Sequence, residues 1–226
     1  MRTRFFPLGM LVIVLIVLMF AKKFVPPEGW KGDTRPTLAL ELPQDEAEVQ
    51  QLLGSEQARD TARASTRWDY AFIAAYTLLF VAFALAHTRG WRVLLILAAA
   101  ATAAFDVWEN AIILRFVDRP ELAVAAEVRS AAQAKWLCFF VAVALVAPLF
   151  ARSAGAWWAM TIALILAGLG GIAATLYGRH ELGLVAVAAS IALALAAVLV
   201  PAALGASGEQ RTASRRTGVR PAPRLS

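Results

Sequence analysis

Cysteine is almost missing from this 226-residue chain. Cys138 is its only one, which excludes an internal disulfide and a two-cysteine redox pair. Histidine is nearly as scarce. His87 and His180 fall on opposite faces of the membrane topology derived below, which argues against a multi-histidine metal centre. There is no serine nucleophile elbow, HExxH pair, phosphate loop or histidine-plus-acid hydrolase pattern. The sequence therefore points to no cofactor and no metal. Charge is sparse too, at 17% of residues, far below the usage of a soluble domain of this length.

What is abundant is apolar. Hydrophobic residues make up 60% of the chain and the mean hydropathy is +0.63, which places it among all-α, polytopic membrane helix bundles. Apolar runs near 5–21, 69–87, 91–116, 129–151, 156–177 and 182–204 predict six transmembrane helices. The first run is short and holds Pro7 and Gly9. Met19 and Ala21 before Lys22 do not form a small-x-small cleavage site, so it reads as an uncleaved anchor. Trp68, Trp91, Trp136, Trp157 and Trp158 lie near predicted helix ends, where indoles favour the membrane–water boundary.

Arginine outnumbers lysine 18 to 4, and with the abundant alanine this usage suggests a bacterial genome rich in G and C. Five arginines, Arg211, Arg215, Arg216, Arg220 and Arg224, crowd the last sixteen residues beside a single acid, Glu209. Concentrated basic charge in this tail and in short loops puts both termini in the cytoplasm of a bacterial inner membrane. The chain then divides into an anchor (1–21), an extracytoplasmic segment (22–68), a five-helix remainder (69–204) and a disordered basic tail (205–226). That tail is suited to anionic lipid headgroups, and nucleic acid is excluded because no folded basic module accompanies it. Composition is silent on oligomeric state.

The outer segment is too short to bury a core of its own and must lean on the bundle. TLALEL alternates like a short strand, while PQDEAEVQQLLG reads as an amphipathic helix opened by Pro43 and stopped by Gly54. Ser55 is placed to cap a further helix that runs into the second span.

The third span contains the chain's main conflict with its solvent. Asp106, Glu109 and Asn110 share one helix face within an apolar run. Each mid-membrane charge costs roughly 2.5–3.5 kcal/mol on insertion scales, so the group requires partners or water. Helical rise puts Asp106 and Lys135 about 22 Å above the cytoplasmic end of their spans, and Glu109 and Asp69 about 27 Å. Four charges from three helices thus occupy one layer of the outer half-bilayer. Lys135 is expected to neutralise Asp106 or Glu109, with Asn110 and Asp69 completing a hydrogen-bonded cluster. Thr102 extends the polar stripe inward, Tyr76 supplies a hydroxyl beneath Asp69, and Arg115, Arg129 and Gln133 form a rim.

Ala167-xxx-Gly171 in the fifth span is a close-packing signature, and Pro148 and Pro201 mark helix boundaries or kinks. Tyr177, Arg179, His180 and Glu181 form an outer turn, either an ordinary loop or the far wall of the same polar region.

The run of LALEL, a short acidic helix, RWDYAFIAAY, FDVWENAIILR and AKWLCFF resembles a group of bacterial multi-pass membrane proteins with an Asp-x-x-Glu-Asn signature in a span, over about residues 38–140. The resemblance implies that Asp69, Asp106, Glu109, Asn110 and Lys135 form one shared pattern, and it implies no reaction. The expected role is non-enzymatic: binding or movement of a small polar or amphipathic ligand, such as a lipid headgroup, at an outer-leaflet polar cavity. The alternative is a structural or assembly protein whose buried ion pairs only fix helix packing. A membrane enzyme acting on lipid or envelope substrates comes third.

Overall fold

The computed structural model describes residues 36–42, 46–86, 88–150, 157–177 and most of 182–196. The first predicted span, most of the turn at 177–181, Pro201 and the basic tail lie outside the described residues, as does most of the apolar run at 182–204 beyond Ala196. Among the described residues every regular element is helical: α1 (Pro36–Glu41), α2 (Glu46–Leu53), α3 (Glu56–Ala86), α4 (Arg89–Asp118), α5 (Leu122–Val146) and α6 (Trp157–Tyr177). Four helices, α3 to α6, are long and apolar enough to cross a membrane.

TLALEL is helix α1, not a strand. Proline at the first helical position is pre-set for the turn and has no N–H to lose, so Pro36 starts a helix that period-2 reading misses. Ser55 caps α3 as expected, its Oγ accepting the Ala58 N–H at 3.1 Å. From there α3 runs unbroken for 31 residues, about 46 Å, well beyond the roughly 30 Å of a hydrocarbon core. Its first turns extend past a length of that kind, and there Arg63 joins Asp60 and Asp118, each at 2.7 Å. α5 begins seven residues before the predicted span. Leu122, Ala123, Ala125 and Ala126 are good helix formers once Pro120 and the N-cap Glu121 are passed, and Glu127 pairs with Arg115 across the tip.

Two- and three-residue connections force α3, α4 and α5 to run antiparallel, each packed on the next, and α6 packs on α5. Pro148 lies in the 3-10 turn Ala147–Leu149 that ends α5. The close approach of α6 to α5 is made by Gly168 and Gly171. A Cβ on Gly168 would sit 2.9 Å from the Phe140 carbonyl oxygen, and one on Gly171 would run into the Phe140 ring. Gly168 is thus the partner of Gly171 here, where the sequence pattern pointed to Ala167. Outward faces carry Leu94 and Leu97 on α4 and Leu166, Leu169 and Leu176 on α6, all at least half exposed and suited to lipid.

Apolar packing occurs in two layers. One lies between the bodies of α3 to α6 and residues 182–196, around Phe80, Phe83, Phe140 and Phe150. The other lies at the α1–α2 end, where Leu40, Val49, Leu52 and Leu53 cover Ile112, Phe116, Val117 and Val128. The α1–α2 pair leans on the bundle. It roofs the ends of α4 and α5, and the polar residues fall between the two layers.

Candidate functional site

Asp69 lies 13 residues from the start of α3, Asp106 12 from the end of α4, and Lys135 13 from the start of α5. At 1.5 Å per residue each is about 18–20 Å below the α1–α2 end, so antiparallel packing brings them to one level. Helical period then turns them inward. Asp106, Glu109 and Asn110 are 4%, 1% and 4% exposed, and Lys135 is 7% exposed.

The Lys135 ammonium is the hub. Its Nζ lies 2.6 Å from Glu109 Oε2, 3.4 Å from Asp106 Oδ1 and 3.3 Å from Glu41 Oε2. It also sits 4.9 Å from the centre of the Trp136 ring, within cation–π range. Tyr76 donates its hydroxyl to Asp106 Oδ2 at 2.9 Å, and Asn110 donates from Nδ2 to Asp69 Oδ2 at 2.9 Å. Beneath this layer, Phe139 makes edge-on contacts with Tyr76, Phe80, Trp136 and Phe140. That aromatic floor holds the Tyr76 and Trp136 rings in place.

Two members escaped sequence reasoning. Glu41 reaches in from α1, pairs with Lys135 and accepts the Trp136 Nε1–H at 3.0 Å. Its signal was a lone acid among Ala39, Leu40 and Leu42, legible only once Pro36 is read as a helix start. Trp136 is not a boundary indole. It sits in the middle of α5, half-buried and stacked on Phe140 at 5.8 Å.

Other expected members are placed differently. Tyr76 serves Asp106 rather than Asp69. Thr102 is buried, but its hydroxyl donates to Ala98 O of its own helix. Arg115, Arg129 and Gln133 are exposed. Arg115 lies half a turn around α4 from Asp106, and Gln133 more than a third of a turn around α5 from Lys135, so depth alone does not make them a rim.

Donors are few for so many acids. Asp106 and Glu41 each face two. Asp69 has one neutral donor and Glu109 has only Lys135 among the described residues, where Asp106 Oδ1 and Glu109 Oε1 are both buried without a hydrogen-bond partner. No group of three histidine, cysteine or acidic residues suited to a metal ion occurs among the described residues. No family model, curated protein or solved structure matches the chain.

Proposed function

We propose that this chain is a bacterial inner-membrane protein that binds or moves a small polar ligand, cationic in character, at the acidic cluster between α3, α4 and α5. The observation that carries the reading is the imbalance of the cluster. Three carboxylates converge on one ammonium and a fourth, Asp69, joins through the Asn110 amide, at a depth where each uncompensated charge is costly. Interhelical polar contacts in membranes contribute only about 0.6–2 kcal/mol each, a weak reason to keep so much acid inside an alanine-rich bundle. In this reading the chain has six spans and cytoplasmic termini, its basic tail rests on anionic lipid, and α1–α2 roofs the site on the outer side. The kinship with the Asp-x-x-Glu-Asn membrane proteins belongs to the same proposal.

A second reading has its own support. Lys135 already lies 2.6 Å from Glu109, and apolar layers close above and below, as in a cluster that serves only to set helix register. Thermal unfolding of the full chain in detergent separates the two, with ethanolamine, choline and ammonium as probes. Ligand binding predicts a rise in Tm, about 2.7 kcal/mol of stabilisation at a hundred times Kd, that is absent in Glu109→Gln. No shift with any probe favours the scaffold. A membrane enzyme acting on lipid ranks third and predicts that deleting the gene makes one lipid species accumulate.

A further inference from the structure

The acids around Lys135 come from two different parts of the fold. Asp106 and Glu109 belong to α4, inside the bundle, with side chains 6% and 1% exposed. Glu41 comes from α1, the short helix of the roof, and keeps 22% of its side chain exposed. A solute arriving from the α1–α2 end therefore meets Glu41 first.

The cluster has three walls, a floor and a roof. Its walls are α3, α4 and α5, and its floor is the aromatic group around Phe139. Opening a path through these means parting helices that pack along their lengths. On the remaining side lies α1. Ala39 and Leu40 belong to the apolar layer above the polar residues and Leu42 to the layer below, so Glu41 crosses the polar level between them. Two polar contacts of Glu41 tie α1 to α5, one to the Lys135 ammonium at 3.3 Å and one from the Trp136 indole N–H at 3.0 Å. A helix of six residues does not persist alone in water, so α1 keeps its shape only while it rests on the bundle. Releasing it uncovers the cluster without separating any two spans.

We infer that α1 is the gate of the site and Glu41 its latch: ligand reaches Asp106, Glu109 and Lys135 when Glu41 lets go of Lys135 and Trp136 and α1 lifts from the ends of α4 and α5. The inference rests on the reading of this cluster as the ligand site and names the route into it.

Thiol modification of the full chain in detergent tests this, with Cys138→Ser as the background. Ala131→Cys reports from under the roof, one turn before Lys135, and Asn110→Cys from the cluster itself. Val143→Cys, one turn past Phe139 in the lower apolar layer, reports opening of the bundle as a whole. The reagent is a methanethiosulfonate carrying a trimethylammonium group, and its rate follows the population of the open form. Adding Glu41→Ala should speed modification at positions 131 and 110 roughly tenfold or more, because an ion pair and a hydrogen bond to a charged acceptor are lost together. Trp136→Phe removes only the indole donor and should speed it less. Val143→Cys should stay unreactive in every background. Equal rates with and without Glu41→Ala overturn the inference, as does a Val143→Cys that reacts as fast as Ala131→Cys. Hydrogen exchange needs no cysteine: Glu41→Ala should quicken it over residues 36–42 and leave 140–146 unchanged, and no change over 36–42 overturns the inference as well. A Tm shift from ethanolamine with no effect of Glu41→Ala on modification would leave the ligand reading standing and remove the gate. Faster modification in Glu41→Ala with no probe shifting Tm would keep the gate and end the organic-ligand reading.

Discussion

Lys135→Met removes the one cation the described residues supply to the cluster and keeps most of the side chain's volume. What remains is Glu109 at 1% exposure with no donor among the described residues, Asp106 at 4% with only the Tyr76 hydroxyl, and Glu41 with only the Trp136 indole. Removing one partner of a buried pair destabilises by about 3–5 kcal/mol, because the other charge is left uncompensated. At about 2–4 °C per kcal/mol for a chain of this size, Tm should fall by roughly 6–20 °C. Scanning fluorimetry in detergent reads this directly. Adding Asp106→Asn to Lys135→Met should recover part of the loss, since one of the two most deeply buried acids facing that ammonium is then neutral. The non-additivity is the coupling of the pair. Adding Glu109→Gln should likewise recover part of the loss, since Glu109 Oε2 lies 2.6 Å from the ammonium. A Lys135→Met loss below about 1 kcal/mol, the value of an exposed pair, would refute the assignment of Lys135 as the hub. Strict additivity with Asp106→Asn would refute it equally.

Glycine spacing on α6 makes a second prediction: Gly168→Ala and Gly171→Ala should each cost about 1–3 kcal/mol by overpacking against Phe140 and Ala144, seen as lower Tm. Gly170→Ala meets only Val185 Cγ1 at 3.9 Å, so it should be neutral or gain up to about 1 kcal/mol from helix propensity. Trp136→Phe keeps a ring on Phe140 but removes the donor to Glu41, a loss of about 1–2 kcal/mol, and hydrogen exchange should quicken over residues 36–42 before the rest of the bundle. Arg63→Ala breaks two ion pairs whose acids are 63–67% exposed, and Tm should barely move, far less than in Lys135→Met.

How far local sequence reaches is clear from particular residues. The spans at 69–87, 91–116 and 156–177 were legible because a long apolar run in lipid must hydrogen-bond its own backbone, and helix is the solution available to it. The shared face of Asp106, Glu109 and Asn110, and their level with Lys135, follow from a constant rise and twist that need no partner. Two errors were also local in origin. TLALEL was read by alternation when Pro36 opens a helix, and Trp136 was assigned to a boundary because α5 was started seven residues late.

Composition and helical period by themselves determined that this chain belongs in a bilayer and that it carries acids where lipid disfavours them. Only packing between distant segments decided which group answers which acid: Tyr76 for Asp106, Asn110 for Asp69, and Glu41 of the roof for Lys135. The physical reason is that periodicity orients a side chain about its own axis, while the distance to a donor 30 to 95 residues away depends on how neighbouring helices rotate and cross. The same packing left Asp106 Oδ1 and Glu109 Oε1 buried without a hydrogen-bond partner among the described residues.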